Sequence, residues 1–316
     1  MKKIMNKNEQ SELDVKKPGM KQPSGSFRFV DILLVLMMLL PIAAGIVLKV
    51  LFSAPSKGIE IKGPLIYFTV DLPVQQLPIT ESQINSWLVM ISITGFALFL
   101  THGIRARTYT KRQFVAEWIV EKSEGLVLTN MGEFFKGFAP FIAAMLALSA
   151  FSSLMSLAGL FPPTSDLNVV TGWAILTFIL ITHYRMKCGP LIYLKTFGDP
   201  SPAMAPLNII SELATPVSMS FRHYGNILSG SVISVLVAAG LGGLSELIFG
   251  SIAETFPVLR VGLPAVLSIY FDVFSGVLQA YIFAMLTMLY TAGAFPAAEF
   301  FSRHPEKGPG TTSAEV

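Results

Sequence analysis

One charged residue in the middle of a long apolar stretch limits the structures that this chain can adopt. From Leu213 to Ser245 the sequence carries no formal charge except Arg222. An arginine at the centre of a membrane helix costs on the order of 3 to 15 kcal/mol, so it is kept only where protein, water or a counter-charge receives it. Arg222 is therefore a candidate functional residue.

Several polar residues share one side of this helix with Arg222. At 100° per residue they fall within about 40° of the arginine's direction. They are Ser211, Thr215, Ser218, Asn226 and Ser229. The uncharged run of about 33 residues would be roughly 50 Å long, against a hydrocarbon core of about 30 Å. The helix must therefore tilt steeply or break, with a kink at Pro216 or an end at Gly240, Gly242 or Gly243.

The composition is typical of a membrane protein. Of its 316 residues 52% are hydrophobic and 14% are charged, with a mean hydropathy of +0.60. These values predict an all-α integral membrane protein with about six hydrophobic helices, the last two forming a long, strongly tilted hairpin, and one interfacial amphipathic helix. The net charge of +3 is too small to indicate a partner such as nucleic acid. The single Cys188 excludes an internal disulfide, and no cofactor-binding motif is present.

Three motifs carry a family resemblance. The first reads PVSMSFRHYGN from Pro216 to Asn226, preceded by Glu212 and followed by Gly230. The others are PTSDLN at 163–168 and LQAYIF at 278–283. In this order and spacing they resemble subunit a of the F-type ATP synthase, the stator that conducts ions beside the rotating c-ring. The resemblance extends over about residues 80–295.

The chain divides into five predicted regions. Residues 1–27 form a disordered basic tail, and 28–52 form an additional transmembrane helix that is favoured over a cleaved signal peptide. Residues 53–80 form an external loop that could contain a β-hairpin. The core at 81–300 begins with a capping box at Thr80–Gln83 and contains an amphipathic helix at about 112–128 and the ion-channel hairpin at about 206–296. Residues 301–316 form the C-terminal tail.

The distribution of lysine and arginine predicts the orientation. Most of these residues lie in 1–28, 105–136 and 185–195, which are every second flank if there are six spans. The alternate flanks hold only Lys57, Lys62 and Arg260. The positive-inside rule therefore predicts that both termini face the cytoplasm of a bacterial-type plasma membrane.

Pairing the last two helices as an antiparallel hairpin predicts the depth of their polar residues. Arg222 and Gln279 come to the same depth, where the amide could accept from the guanidinium. Asp272 lies seven residues toward the outer face, level with Ser229 and Ser231. Glu212 lies ten residues toward the cytoplasm. An acid, an arginine and an acid along one slanted path suit ion transfer between two aqueous half-channels.

The resemblance implies roles for particular residues. Arg222 matches the family's essential arginine, and Asn226 and Gln279 match positions beside it. Asp272 matches a position where relatives place histidine or an acid, whereas Ser231 stands where some relatives carry a carboxylate. Candidate channel-lining residues are Ser218, Ser229, Ser231, His223, Glu246, Asp166 and Asn168. Asp166 and Asn168 could instead be a helix cap and a helix contact, and His223 a core residue. The implied partners are the c-ring, the peripheral-stalk b subunits and lipid, and the chain itself would catalyse no bond chemistry.

Two other functions compete with the stator. A secondary transporter or channel could use Arg222 to bind an anionic substrate and would transport without a rotor. A membrane-embedded enzyme would need acids and histidines that converge at one depth, whereas Asp272 and Glu212 are predicted to lie far apart along the hairpin. The sequence does not decide between protons and sodium ions.

Overall fold

The fold was taken from a computed structural model, which describes residues 29–52, 63–71, 73, 76–102, 111–198, 201–250 and 258–303. The predicted tails, 1–27 and most of 301–316, lie outside these residues. In chain order the α-helices are α1 (Phe29–Phe52), α2 (Glu81–Thr101), α3 (Lys111–Met131), α4 (Ala139–Leu154), α5 (Leu167–Arg185), α6 (Pro190–Phe197), α7 (Ala205–Phe249), α8 (Val258–Ser268), α9 (Gly276–Ala294) and α10 (Ala297–Arg303).

Six helical segments of the described residues are long and apolar enough to cross a membrane. They are built on α1, α2, α4, α5, α7 and the α8–α9 unit. In a bilayer every backbone polar group must be satisfied within the protein, and α-helices do so within one segment. The prediction of an all-α, multi-pass membrane protein is confirmed.

A short β-hairpin precedes α2. Strands β1 (Ile66–Asp71) and β2 (Gln76–Thr80) pair antiparallel, so the hairpin suggested by the sequence is present. The capping box predicted at Thr80 is wrong. The Thr80 hydroxyl makes its hydrogen bond with Ser82 Oγ at 2.8 Å and caps no backbone N–H. Instead the first N–H of the helix, from Glu81, donates to the carbonyl of Leu65 in the hairpin at 2.7 Å.

Aromatic side chains close one end of the bundle, where α3, α4, α9 and α10 meet. Phe134 stacks on Phe295 with ring centroids 4.6 Å apart, and Phe300 packs against both rings. Further into the bundle, Met145 of α4, Met219 of α7 and Phe283 of α9 share a buried cluster. These contacts bring the helices with the predicted site residues together.

Helix α7 runs without a break for 45 residues. Of the two alternatives left by the sequence, a tilt or a break, the helix does not break: Gly240, Gly242 and Gly243 lie inside it, and so does Pro216. Without water, an interrupted helix would leave backbone groups unsatisfied, so the helix continues until Gly250, whose φ of 55° is readily adopted by glycine. This length leaves the steep tilt as the way to fit α7 into a bilayer.

The last span, which forms the second arm of the hairpin predicted at about 206–296, is not one regular α-helix. Between α8 and α9 the segment Ile269–Ser275 is π-helical. Two glycines show how closely the helices pack around this segment. A Cβ added at Gly230 of α7 would lie 2.8 Å from Phe271 Cδ1, and one at Gly276 would lie 2.7 Å from Ser153 Cβ. Helix α9 ends at Ala294, two residues before Pro296, because a residue that precedes a proline disfavours the helical conformation.

Candidate functional site

The polar side chains of α7 form one exposed stripe. Ser218, Arg222, Asn226 and Ser229 are all exposed, and they follow one another at helical spacing. The opposite side of the helix is buried in the bundle, with Met219, His223, Ile227 and Gly230 among its residues. The predicted arginine-centred stripe is therefore an outward face of the protein rather than part of its core.

Arg222 has no charged partner in this part of the chain. Among the described residues, none forms an ion pair or a side-chain hydrogen bond with it. Its exposed neighbours Val217 and Phe221 are apolar, with 53% and 58% of their surface accessible. A guanidinium at this depth requires water or a counter-charge. No counter-charge comes from the described residues, and the side chain of Arg222 is exposed.

Gln279 lies at the predicted depth but does not contact Arg222. Only 7% of Gln279 is exposed, and it faces into the bundle, where its backbone lies beside the ring of His223. No hydrogen bond joins it to Arg222 among the described residues. The predicted amide–guanidinium contact is therefore wrong. Arg222 is exposed whereas Gln279 is buried, a difference that depth alone does not reveal.

His223 is a buried aromatic residue of the helix interface. It is 1% exposed, and its ring lies 5.6 Å from that of Phe283 and 6.2 Å from that of Trp173. Its Nε2 is 3.4 Å from Ser149 Oγ, while Nδ1 has no hydrogen-bond partner among the described atoms. The structure thus separates His223 from the exposed stripe although the two residues are adjacent in sequence.

Asp272 lies in the π-helical segment, beside the C-terminal half of α7. The close contact of Phe271 with Gly230 puts Asp272 level with Ser229 and Ser231, as the hairpin register predicts. Asp272 is half-buried. A π-helical turn changes the direction of the side chains that follow it and is frequent at functional sites. The sequence analysis missed this irregularity because no proline or glycine marks it within Ile269–Ser275.

Two other candidates form hydrogen bonds within α7, and a third is exposed. Ser231 Oγ donates to Ile227 O at 3.0 Å and Ser229 Oγ to Asn226 O at 3.1 Å, so both hydroxyls bond their own helix. Glu246 is exposed in the last turn of α7. At 100° per residue Ser229 shares the exposed stripe with Arg222, whereas Ser231 and Glu246 lie on other sides of α7.

Glu212 lies on the wall of a cavity in the described part of the chain. The cavity encloses about 610 Å³ and has openings to the surface. Arg185 Nη1 donates to Glu212 Oε2 at 2.7 Å, and the hydroxyl of Tyr193 donates to Oε1 at 3.0 Å. Thr215 and Tyr290 also line the cavity. The carboxylate predicted from the sequence therefore stands in an open, polar space.

The sequence analysis missed Arg185 and Tyr193. Arg185 counted only as a positive charge at the end of a span, although a lone carboxylate in an apolar helix requires a cation or donors nearby. Tyr193 lies in α6, outside the spans. Its pKa is raised by burial, and further by the hydrogen bond and the charge of Glu212. The phenol therefore stays protonated and keeps donating to the carboxylate.

Asp166 is both a helix cap and a contact of α2. Its Oδ1 accepts from Asn168 N at 3.0 Å at the start of α5. Its Oδ2 accepts a hydrogen bond from Ser82 Oγ of α2. The capping role predicted for this residue is confirmed, and Asn168 takes part through its backbone N–H while its side chain is exposed.

Comparison with known proteins identifies the family. The family model described as ATP synthase A chain matches residues 83–292. The chain belongs to the ATP synthase A chain family. The matched range includes Arg222, Asp272 and Gln279, as well as Glu212 and Asp166. It begins after α1 and the β-hairpin.

Curated relatives agree with this membership. Subunit a of the Propionigenium modestum ATP synthase, described as sodium ion specific, is 28% identical over 272 residues, which cover 76% of this chain and 88% of that protein. ATP synthase subunit a of Legionella pneumophila is 27% identical over 229 residues, covering 72% and 91%. That of Desulforamulus reducens is 29% identical over 215 residues, covering 67% and 78%.

Membership of the ATP synthase A chain family gives the chain its place in the enzyme. As subunit a of an F-type ATP synthase it is an ion-channel stator component of the membrane Fo sector, which also contains the c-ring. Its several spans and its similarity to ATP synthase subunits a make it a multi-pass membrane protein.

Proposed function

We propose that Arg222 separates two aqueous half-channels that lead ions to and from the c-ring. The observation that carries this proposal is the exposure of the guanidinium on the outward face of α7, without a partner among the described residues. A charge in that position is available to a second protein. The direct test is the loss of ATP-driven ion pumping when Arg222 is replaced.

The physical argument starts from the rotor. A carboxylate on a rotor subunit must be neutral while it faces lipid, by protonation or by binding sodium, because a bare charge there is prohibitively costly. Beside Arg222 the ionised carboxylate is stabilised, which favours release of its ion. The fixed positive charge also repels a cation that would pass directly between the half-channels. Arginine suits this role because it keeps its proton even when buried, whereas lysine does not.

The cavity at Glu212 is the proposed inner half-channel. It combines open volume with a carboxylate, several hydroxyl groups and the amide of Asn208. The outer half-channel is proposed to lead past Asp272, Ser229 and Ser231. Glu246 is proposed to lie near its mouth, and Asp166, directly before α5, is proposed to belong to the same path. Asn226 extends the stripe by one helical turn from Arg222 toward that side, and Ser218 extends it toward the inner cavity.

The exposed stripe of α7 also suggests where the partners bind. The c-ring docks on the exposed stripe of α7, and the peripheral-stalk b subunits bind elsewhere on the bundle. The rival function, a transporter that binds an anion at Arg222, would present the arginine to a cavity inside the chain. The exposed position favours the stator because nothing among the described residues encloses the guanidinium.

Asp272→Asn is expected to slow ion uptake from the outer side at least roughly fivefold, a rise of about 1 kcal/mol in the barrier. The amide keeps the size and most hydrogen bonds of the carboxyl group but cannot carry a proton or charge through the path. The measurement is ATP synthesis driven by an imposed ion gradient, per assembled complex. Phe274→Leu, at an exposed apolar position of the same π-helical segment, is the control. An unchanged coupled rate would show that the outer relay lies elsewhere.

Cysteine at Ser26, in a Cys188→Ser background, is expected to react with a membrane-impermeant thiol reagent only from the cytoplasmic side. The positive-inside rule and six spans place both termini there. The measurement compares right-side-out and inverted vesicles. Reaction from the outside would reverse the proposed orientation or remove a span.

A further inference from the structure

Helix α1 carries two charged residues, one near each end, and both are paired with the rest of the chain. Arg112 Nη1 of α3 lies 2.7 Å from Asp31 Oδ1, and Lys49 Nζ lies 3.1 Å from Glu81 Oε1. The other residues of α1 are uncharged. Because the two charges are opposite in sign and at opposite ends, they match their partners in only one orientation of α1.

Close backbone packing joins α1 to α2 between these pairs. A Cβ added at Gly45 would lie 3.0 Å from Leu88 Cδ1, and one at Gly95 would lie 3.1 Å from the backbone of Met37. Small residues allow membrane helices to approach in this way. Helix α1 is therefore docked along its length, although it lies outside the range that the family model matches.

Glu81 is the most buried member of the two ion pairs. It is 2% exposed, whereas the side chain of Lys49 is 34% exposed and can reach the interface. Lys49 is the only cation that pairs with Glu81 among the described residues. Removing one member of a buried pair is strongly destabilising, because it leaves the other charge without compensation. The burial of Glu81 therefore depends on Lys49.

Glu81 in turn holds the segment before α5. Its Oε1 accepts from Phe161 N at 3.0 Å, while Asn85 Nδ2 donates to Phe161 O at 2.8 Å. Ser82 Oγ donates to Asp166. The first turns of α2 thus hold residues 161–166 by three hydrogen bonds. Two of them satisfy the backbone N–H and C=O of Phe161.

We infer that Lys49 is a positioning residue: by neutralising Glu81 it fixes the segment 161–166, which gives α1 a function in this chain. The inference itself concerns the placement of that segment. Its consequence for ion conduction rests on the proposed function, in which Asp166 belongs to the outer path.

The test measures the local accessibility of this segment in the whole ATP synthase. In a Cys188→Ser background, Ser165→Cys reports on the segment and Gln76→Cys, in the exposed β2 strand, reports on overall accessibility. Lys49→Met is expected to raise the reaction rate of Ser165→Cys with an impermeant maleimide by about threefold or more relative to Gln76→Cys, because the unpaired carboxylate loosens its hold on Phe161. Lys49→Arg keeps the charge and should leave the ratio unchanged.

The double variant K49M/E81Q decides the outcome, because it removes both charges while the amide can still accept from Phe161 N. It should return the labelling ratio to that of the parent, and it should restore accumulation of the complex if Lys49→Met alone prevents it. An unchanged ratio in Lys49→Met, or no recovery in the double variant, would overturn the inference. Normal pumping by Arg222→Ala alongside the expected labelling would instead refute the proposed function and leave the role of Lys49 standing.

Discussion

Replacing Arg222 with alanine is expected to abolish ATP-driven ion pumping in membranes that contain the whole enzyme. Without the guanidinium, an ionised rotor carboxylate would face the stator in a medium of low dielectric without a counter-charge, at a cost of several kcal/mol. Three kcal/mol corresponds to more than about a hundredfold in rate. The measurement is ATP-dependent ion uptake into inverted vesicles, normalised to the amount of assembled complex.

The same substitution is expected to leave assembly nearly intact. The side chain is exposed and has no partner among the described residues, and substitutions of that kind usually change stability by no more than about 0.5 kcal/mol. Val217→Ala, at an apolar, exposed position of the same helix, is the matched control and should pump within about twofold of the parent. Arg222→Lys should also be impaired, since a lysine that the docked rotor shields from water can lose its proton. Pumping at the parental rate by Arg222→Ala would refute the assignment.

Glu212→Gln is expected to slow pumping by about tenfold or more. The carboxylate is the negative group of the 610 Å³ cavity, and its removal leaves the positive charge of Arg185 in the path of a cation. Two unit charges about 4 Å apart interact by about 4 kcal/mol at an effective dielectric constant near 20, and a third of that energy already changes a rate tenfold. ATP-driven pumping at several ion concentrations is the measurement.

A neighbouring residue supplies the control for this prediction. Thr215→Val changes another residue of the cavity wall, but the Thr215 hydroxyl already bonds Ser211 O of its own helix at 3.1 Å, so little effect is expected. The double variant R185Q/E212Q removes the unpaired cation and should pump faster than Glu212→Gln alone. If Glu212→Gln pumps like the parent, the inner path does not use this cavity.

The spans and the stripe could be predicted because they depend on local periodicity. The limits of α5 at Leu167–Arg185 follow from one apolar run with a capping aspartate. The π-helical segment at Asp272 was not predicted, because the contact between Gly230 and Phe271 joins residues distant in sequence. Pairs such as Lys49–Glu81 and Arg185–Glu212 were missed for the same reason.

The sequence by itself determined that this chain crosses the membrane several times and that one face of its longest helix carries an isolated arginine, since hydropathy and a 100° step per residue need no tertiary contacts. Only the tertiary structure decided which way each polar side chain points. It turned Arg222 outward and Gln279 and His223 inward, and it set Glu212 on a cavity beside Arg185. The physical reason is that burial of one side of α7 against its neighbours depends on how five other spans pack, and adjacent residues such as Arg222 and His223 then fall on opposite sides of that boundary.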